Sequence, residues 1–414
     1  MRIYFSLYLI PVVVVALALF WLVLRDDRRR LWLVVALSLG VLALLHPVFA
    51  VVAVGLLVVT QQVVAAHAAG RLSGGRAVLI AVLIAVVTLA VGKYGRSAAV
   101  AMWGGEEWIT ARLLMPLGIS YFVFRLMQYV FDHLRGVITD NSFLRLAAFM
   151  MFIPTFPAGP LETYQGFYGK RSVVFDRQLF YIGIRRIAVG YFKKVFIVDF
   201  LFAIAFGELL RTMGRPGFDL DELGAFAGWV YVIAVFVRAY FDLSAYTDLA
   251  IGFSALFGFR IMENFNLPFL SKNLGDFWRR WHISLSSWVR NNVYFPVYGL
   301  TRKPWLGLYL SMLTMGLWHY VNLNWTIWGL YHGTGLVIVA RWERYKKARK
   351  KRRRKAGQPV AAWYERFIAP AGYVVTFLYV ALGYAFVSTH TFRHAAKIVY
   401  ACVKGPLEWL GIWG

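Results

Sequence analysis

Residues 31–66, LWLVVALSLGVLALLHPVFAVVAVGLLVVTQQVVAA, decide the fold of this chain. The stretch contains no aspartate, glutamate, lysine or arginine. A helix needs roughly 20 apolar residues to cross the hydrocarbon core of a bilayer. The stretch is therefore long enough for two membrane passes, and we expect them to be separated near His46-Pro47.

Apolar stretches of similar character recur along the rest of the chain. They lie at 4–24, 77–92, 180–209, 224–241, 305–318, 325–340 and 371–388. Of the 414 residues, 60% are hydrophobic and only 16% are charged, whereas soluble domains carry about 25% charged residues. The sequence therefore predicts an all-α polytopic membrane protein with about ten or eleven helices that span the bilayer fully or partly.

The charged residues are concentrated between the apolar stretches. The formal net charge is +25, which in a soluble protein would suggest nucleic-acid binding. In a membrane protein, lysine and arginine in short loops mark the cytoplasmic side instead, so we expect no nucleic-acid partner. We predict that the basic run RWERYKKARKKRRRK (341–355) is a cytoplasmic loop. It either anchors the topology or docks an anionic lipid or an acidic protein.

The N-terminal apolar run, 4–24, is predicted to be a retained first helix. It is too long for a signal peptide, and no small-residue cleavage site follows it. The basic cluster directly after it predicts that the N-terminus lies outside.

We expect one membrane domain without a soluble domain. Its predicted segments are an aliphatic helical bundle (1–110), a core richer in polar side chains (111–340), the basic loop (341–357) and C-terminal helices (358–414). In the core, Pro154, Pro157 and Pro160 exclude a regular helix within FIPTFPAGPLETYQGF (152–167). That stretch is therefore either a surface loop or the wall of a cavity.

The histidines are the first candidates for chemistry. The sequence has no His-Glu-x-x-His, Gly-x-Ser-x-Gly, Walker or dinucleotide-binding motif. Cys402 is the only cysteine, which excludes an internal disulfide and a cysteine-based metal cluster. Polar side chains cluster between residues 240 and 335, and at membrane depth such side chains usually face an interior cavity.

His319 ends the apolar run LSMLTMGLW and is followed by Tyr-Val-Asn-Leu-Asn. Histidine is the side chain whose ordinary pKa best suits proton transfer near neutrality. At the bilayer edge its imidazole could deprotonate a hydroxyl that attacks a thioester. The alternative is a core histidine bonded to a backbone carbonyl.

His282 lies in FWRRWHISLSSWVRNNVYFP (277–296), among arginines and tryptophans typical of a polar mouth at the membrane interface. The alternative is an interfacial amphipathic helix with a partly exposed histidine. His332 is treated as structural, because on one unbroken helix it would lie about 20 Å from His319. A helix break at Asn322-Leu-Asn324 would shorten that distance.

Asp242 and Asp248 are the carboxylates nearest to these motifs. Each could cap a helix, orient a histidine or pair with a nearby arginine. Pairing is the default expectation for a buried carboxylate.

Three long motifs together resemble the bacterial branch of the membrane-bound O-acyltransferase family. They are the run from FDLSAYTDLAIGF (241–253) through NFNLPFLSKNLGDFWRRWHISLS (264–286), then MGLWH (315–319), then WGLYHG (328–333). GISYFVFR (118–125), FMMFIPTFPAGPLETYQGF (149–167) and the chain length make it most similar to the D-alanyl-transfer branch. The resemblance is strong over roughly 110–340.

The resemblance implies a fold and a chemistry that composition and spacing do not show. Members form a ring of helices around a thin central region pierced by a tunnel. The histidine matching His319 is catalytic, and the one matching His282 is a second functional histidine near the tunnel. By the same resemblance, Arg279, Arg280, Trp281 and Arg290 are expected to position the donor's arm or the acceptor.

The resemblance also implies partners. The D-alanyl branch takes D-alanine from the 4′-phosphopantetheine thioester of an acidic cytoplasmic carrier protein. It passes the D-alanine across the cell membrane toward lipoteichoic acid, with a membrane-anchored partner on the outer face. The chain itself is expected to bind neither a cofactor nor a metal, because a thiolate leaves readily.

The sequence departs from the family at Tyr320, since relatives often have glycine after the tryptophan-histidine pair. The larger side chain could narrow the tunnel or alter the choice of acyl group. Three alternatives remain open on the sequence. One is an O-acetyltransferase for an exopolysaccharide such as alginate, one is a transporter or flippase that uses the polar tunnel, and one is a non-catalytic scaffold.

Overall fold

The computed structural model describes residues 9–103, 118–157, 159–213, 224–356 and 369–409. Every regular element in these ranges is helical. The helices of the first half are α1 (Leu9–Ala18, extended by a π-helical turn, Leu19–Val23), α2 (Asp27–Leu45), α3 (Pro47–Ala68), α4 (Gly74–Trp103), α5 (Ile119–Leu134), α6 (Phe143–Met151), α7 (Tyr164–Gly169), α8 (Arg177–Tyr191, followed by π-helical Phe192–Leu201) and α9 (Phe202–Met213).

The second half begins with one of the two longest helices. Its elements are α10 (Ala225–Leu256), α11 (Leu274–Arg280), α12 (Ile283–Val289, followed by a π-helical turn, Arg290–Tyr294), α13 (Phe295–Thr301), α14 (Pro304–His319), α15 (Leu323–Lys355), α16 (Ala369–Ser388) and α17 (Phe392–Trp409). Short 3₁₀ turns occupy Ile153–Thr155 and Pro268–Leu270.

The chain packs as two compact units. The first contains residues up to Tyr191 together with Tyr246–Met262, and the second contains Phe192–Ala245 and the residues from Glu263 onward. The expected segment boundary at 110/111 lies outside the described residues, as do residues 4–8 of the predicted first helix and residues 358–368 of the predicted C-terminal segment.

The break expected near His46-Pro47 is confirmed. Helix α2 ends at Leu45 and α3 begins at Pro47, with His46 at φ −144° and ψ 67° between them. Proline disfavours a helical conformation in the residue before it but is well suited to the first position of a new helix. One apolar stretch therefore forms two helices.

Within the part of the chain that the structure describes, four helices are long and apolar enough to cross a membrane: Pro47–Ala68, Gly74–Gly95, Ala225–Leu256 and Pro370–Ser388. They support a helical membrane protein. The count of ten or eleven helices, and their arrangement as a ring with a tunnel, stay predictions.

The prediction that residues 341–355 form a loop is wrong. They are the last turns of α15, which runs without interruption for 33 residues from Leu323 to Lys355. The physical reason is that lysine and arginine have high helix propensity, and the run contains neither glycine nor proline. The cytoplasmic location of this basic end stays a prediction.

Most of the described residues of the proline-rich stretch are buried in the first unit, so the stretch is not a surface loop. The guanidinium of Arg125, 2% exposed, donates to the carbonyl oxygen of Thr155 at 2.9 Å. The buried carboxylate of Glu162 accepts from the backbone N–H groups of Thr163 (3.1 Å) and Met262 (2.8 Å). Two charged side chains thus satisfy backbone that no helix or strand can satisfy.

Each unit has its own apolar core. In the first, Phe167 stacks on Phe259 with ring centroids 4.4 Å apart. In the second, the fully buried Phe236 contacts Phe277 and Trp281.

The two carboxylates singled out in the sequence are both ion-paired, as expected. Asp248, 3% exposed, lies 2.7 Å from Arg186 in the first unit. Asp242 lies 2.9 Å from Lys194 in the second unit, so its partner is a lysine and not an arginine.

Candidate active site

His319 is the last residue of α14, and its side chain is exposed. Its imidazole stacks on the indole of Trp325, with ring centroids 4.2 Å apart and an interplanar angle of 13°. The neighbouring Trp318 packs at an angle, also at 4.2 Å. Stacking covers a face of the imidazole and fixes its plane, while its nitrogens lie at the ring edge and can exchange protons.

A short turn places Trp325 beneath the imidazole. Residues 320–322 separate α14 from α15, and the backbone is extended at Tyr320 and Asn322. The side-chain oxygen of Asn322 accepts from the backbone N–H of Trp325 at 2.9 Å and so caps α15. The helix break considered at Asn322-Leu-Asn324 is therefore present.

Glycines bring α14 and α15 close together next to this turn. A Cβ added to Gly329 would lie 2.8 Å from the carbonyl oxygen of Met312, and one added to Gly333 would lie 2.7 Å from the ring of Tyr309. A Cβ at Gly316 would overlap the carbonyl oxygen of Trp325. The close approach of the two backbones holds His319 against α15.

The break also brings His332 close to His319. Both imidazoles contact the buried indole of Trp328, at centroid distances of 6.3 Å for His319 and 4.7 Å for His332. Trp278 of α11 contacts Trp328 at 5.9 Å and His332 at 5.4 Å. The two histidines therefore belong to one aromatic cluster, although His332 is 1% exposed and its Nδ1 has no hydrogen-bond partner among the described residues.

His282 joins α11 to α12 in a strained conformation. Its backbone is left-handed, with φ 45° and ψ 52°, which a residue other than glycine adopts at a cost and usually only where the surrounding structure imposes it. The side chain is 7% exposed. The alternative of a partly exposed histidine on an interfacial amphipathic helix is therefore wrong.

Asn264 imposes this conformation from the irregular segment that precedes α11. Its carbonyl oxygen accepts from the N–H of Ile283 at 2.9 Å. Its side-chain oxygen accepts from the N–H and the hydroxyl of Ser284, at 3.2 and 2.6 Å. Because the segment also pairs through Asn266, whose N–H donates to the carbonyl of Arg280 at 2.9 Å, the backbone on both sides of His282 is fixed.

His282 lies outside the four candidate spans, and burial lowers its pKa to about 4. Its imidazole is therefore neutral near pH 7. A neutral imidazole offers one N–H donor and one nitrogen acceptor, which suits it to orient a substrate rather than to hold a charge.

Two of the predicted binding arginines form ion pairs with one carboxylate. Arg279 and Arg280 each lie 3.2 Å from Oδ1 of Asp276. Partial burial acts to raise the pKa of Asp276, but hydrogen bonds from Arg280, the backbone N–H of Lys272 and Arg279 outweigh it and lower that pKa below its ordinary value. The cluster keeps a net positive charge.

The other two predicted binding residues have different surroundings. Arg290 is exposed at the start of the π-helical turn, where its Nε approaches the side-chain oxygen of Asn291 at 3.5 Å. Trp281 is 5% exposed and stacks on Phe277 in the apolar core. The described contacts of Trp281 are packing contacts, and its role in binding stays a prediction.

A model of the membrane-bound O-acyltransferase family, abbreviated MBOAT, matches residues 97–382. This match covers the three histidines and the three arginines of the candidate site, His282, His319, His332, Arg279, Arg280 and Arg290. The chain belongs to the MBOAT family. The similarity expected from the motifs at 241–286, 315–319 and 328–333 is confirmed at the level of the family.

Curated MBOAT relatives carry different activities in their names. The chain is 36% identical to the probable alginate O-acetylase AlgI of Azotobacter vinelandii over 249 residues, 58% of this chain and 48% of that protein. It is 30% identical to the teichoic acid D-alanyltransferase of Bacillus subtilis over 299 residues, 68% of this chain and 71% of that protein. A peptidoglycan O-acetyltransferase of Helicobacter pylori is 30% identical over 264 residues, 55% of this chain and 48% of that protein. The aligned region spans about half the length of the alginate O-acetylases.

Sequence reasoning missed the residues that hold the histidines in place. Trp325 and Asn264 have no chemistry of their own to attract notice. Asn322, a residue type that favours helix N-caps, precedes an apolar run, which is a recognisable helix start and would have predicted the cap. The pairing of Asn264 with Ser284 spans 20 residues, and no local pattern signals it.

Proposed function

We propose that this MBOAT protein transfers an acyl group from a thioester to a hydroxyl, with His319 as the general base. The observation that carries the proposal is the exposed imidazole at the end of α14, held in one plane by Trp325 within the region that the family model matches. A group that moves protons during a reaction needs both a fixed position and access to the substrate.

The reaction balances without a metal. His319 removes the proton of the acceptor hydroxyl as its oxygen attacks the thioester carbonyl carbon. The carbon–sulfur bond then breaks and the thiolate leaves. The thiolate takes up the proton from the imidazolium of His319. His319 returns to its starting state, and the products are an oxygen ester and a thiol.

The surrounding residues divide the remaining tasks. His282, neutral and fixed by Asn264, is proposed to orient the acceptor or the donor by hydrogen bonding. Arg279, Arg280 and Arg290 are proposed to hold the phosphate of a phosphopantetheine arm, since arginine forms strong charge-assisted hydrogen bonds with phosphate.

We propose D-alanine as the acyl group, carried by an acidic carrier protein on the cytoplasmic face of the cell membrane. The proposal is supported by the similarity to the D-alanyltransferase, which covers 71% of that protein, against 48% of the probable alginate O-acetylase of Azotobacter vinelandii. Lipoteichoic acid is the proposed acceptor, reached with a membrane-anchored partner on the outer face. The acyl group would then cross the membrane during transfer.

O-acetyl transfer to a polysaccharide such as alginate is the second candidate. It is supported by the higher identity to the probable alginate O-acetylase, 36% against 30%. The exposed Tyr320 after His319 is proposed to influence which acyl group fits.

The decisive experiment is carried out in proteoliposomes. It compares two acyl donors, and it compares the wild type with one variant. A D-alanyl carrier-protein thioester and an acetyl thioester are supplied in turn, and the ester formed is identified by mass spectrometry. His319→Ala should lower the rate about 10²–10⁴-fold, the usual contribution of a general base, while the thermal unfolding midpoint stays within the range of the wild type.

Each outcome of this experiment bears on one part of the proposal. If the acetyl ester is the only product, the transferred acyl group is acetyl and not D-alanyl. Normal ester formation by a folded His319→Ala protein would exclude His319 as the base. Movement of substrate across the bilayer without any ester would favour the transporter alternative.

A further inference from the structure

A cavity of about 520 Å³ opens in the second unit, between the second half of α15, the first turns of α16 and the residues that lead into α11. None of the proposed catalytic or substrate-binding residues lines it. It is therefore separate from the site proposed for acyl transfer, and its own chemistry has to be considered.

Apolar side chains form the walls of the cavity. Ile338 and Trp342 contribute from α15, and Val375 and Tyr379 contribute from α16. Ile338 and Val375 are 61% and 64% exposed, so a ligand can reach them. Exposed apolar walls next to a candidate membrane-spanning helix suit a hydrocarbon chain better than a soluble metabolite.

The cavity has a defined shape because two glycines fix its ends. A Cβ at Gly335 would lie 2.6 Å from the hydroxyl oxygen of Tyr379, so α15 and α16 touch there. A Cβ at Gly372 would lie 2.6 Å from the carbonyl oxygen of Lys272, so α16 also touches the segment before α11. The space between these two contacts is left open.

The rim of the cavity is cationic. Lys272 is exposed at one edge, and Lys346 lies at the other, where its Nζ is 2.6 Å from the carboxylate of Glu343. Glu343 offsets part of this charge, but the helix continues into residues 347–355, where every side chain except Ala348 is basic. An anionic group at the rim would therefore be attracted.

The cavity lies at a level along α15 and α16 that corresponds to a membrane surface. Residues 371–379 are the first turns of the candidate span Pro370–Ser388. The 33 residues of α15 make a helix about 50 Å long, longer than the hydrocarbon core of about 30 Å. Trp342 and Tyr345 stack on each other and are exposed near the start of the basic run, as aromatic residues are at the lipid head-group level.

We propose that this cavity binds an anionic phospholipid of the surrounding bilayer. Its acyl chain lies against Ile338 and Val375, and its phosphate faces Lys272 and Lys346. Basic pockets between membrane helices are a recurrent way to hold anionic head groups. The apolar walls favour a lipid over an acidic protein, which would use the basic helix without entering the cavity.

The proposal is tested on the purified full chain in a neutral detergent. Phosphatidylglycerol with brominated acyl chains is titrated, and quenching of tryptophan fluorescence is recorded. Phosphatidylcholine with the same chains provides the lipid control. The pocket variant is Lys272→Gln/Lys346→Gln, and the matched control Lys350→Gln/Lys351→Gln removes the same charge outside the cavity.

We expect saturable quenching by phosphatidylglycerol, most of it lost in Trp342→Phe. The pocket variant should weaken the affinity about 10- to 30-fold, given that each basic residue near an anionic surface contributes about 1 kcal/mol. The control pair should change it far less. Ile338→Phe, which adds bulk inside the cavity without removing charge or adding a tryptophan, should weaken binding as well.

Several results would overturn the proposal. One is an affinity for phosphatidylcholine equal to that for phosphatidylglycerol, and another is an equal loss of affinity in the control pair. The others are quenching that persists in Trp342→Phe and an unchanged affinity in Ile338→Phe. Competition by glycerol phosphate alone at the same concentration would show that the rim binds an anion without its lipid. Failure of the lipid to bind, with saturable binding of an acidic protein, would make the basic helix a protein dock.

Discussion

At the scale of single residues, the candidate site depends on contacts that orient imidazoles. His319 is exposed but stacked, and His282 is buried but held by its backbone. The two histidines are therefore suited to different tasks, proton transfer for one and hydrogen bonding for the other. Substitutions of their neighbours should lower activity more than they lower the stability of the fold.

Trp325→Leu should lower the rate of acyl transfer about 10- to 100-fold, because displacing a catalytic group by about 1 Å can cost a factor of 10². Trp325→Phe keeps an aromatic face under His319 and should restore most of the rate. The measurement is kcat and KM in proteoliposomes, with exposed Trp305→Leu at the opposite end of α14 as the control. A wild-type rate in Trp325→Leu would show that the stack does not position the base.

His282 should make folding stability depend on pH. Its pKa is about 4 in the folded protein, below the ordinary value of about 6.5. The unfolded chain therefore binds a proton as the pH falls through about 6.5, and the folded chain does so only near 4. The free energy of unfolding therefore decreases as the pH falls from about 6.5 to about 4, by up to about 3 kcal/mol at the lower pH.

Thermal unfolding midpoints at pH 7.5 and pH 5 test this expectation. His282→Gln, which does not titrate, should lose less stability on acidification than the wild type. His390→Gln, at an exposed histidine, should behave like the wild type. Equal losses in all three proteins would mean that His282 is not held neutral by burial.

At the scale of secondary-structure elements, the packing of α14 against α15 determines the position of His319. Gly329→Ala places a methyl group against backbone atoms of Met312 and Leu313, which cannot move as a side chain does. We expect a loss of about 1–3 kcal/mol in unfolding free energy, as for overpacked cores. Gly40→Ala, in open space within α2, is the matched control and should cause no loss, as denaturant titration in detergent can verify.

Some of these elements were predictable from the sequence. Pro47 predicted the break between α2 and α3. The three prolines predicted that no regular helix forms within 152–167, which is wrong for the last residues, because α7 begins at Tyr164. The helical basic run was missed because charge density was taken as a mark of a loop, although lysine and arginine favour helices. The fixed conformation of His282 was not predictable, since it depends on hydrogen bonds that Ile283 and Ser284 donate to Asn264, 18 residues before His282.

At the scale of the whole molecule, family membership and a helical membrane fold agree with what motifs and hydropathy predicted. The orientation in the bilayer remains a prediction with a direct test. A cysteine at Ala348, which is exposed on the basic end of α15, is introduced in a Cys402→Ser background. Because lysine and arginine accumulate on the cytoplasmic side, it should resist a membrane-impermeant thiol reagent in intact cells.

Permeabilised cells supply the control for this topology experiment, since the same cysteine should then react fully. The buried Cys402 of the otherwise unchanged protein should react poorly in both conditions. Rapid labelling of the Ala348→Cys protein from outside would reverse the orientation of α15. The lipid site proposed at Lys272 and Lys346 would then face the opposite leaflet.

The turn between His319 and Leu323 has a consequence for protein engineering. Inserting one residue into it would rotate α15 by about 100° relative to α14 and carry Trp325 away from the imidazole. Chimeras with related transferases can therefore exchange side chains at positions 320 and 321 more safely than they can change the number of residues there. Loop length, rather than loop composition, is the quantity that a designer of altered acyl specificity has to preserve.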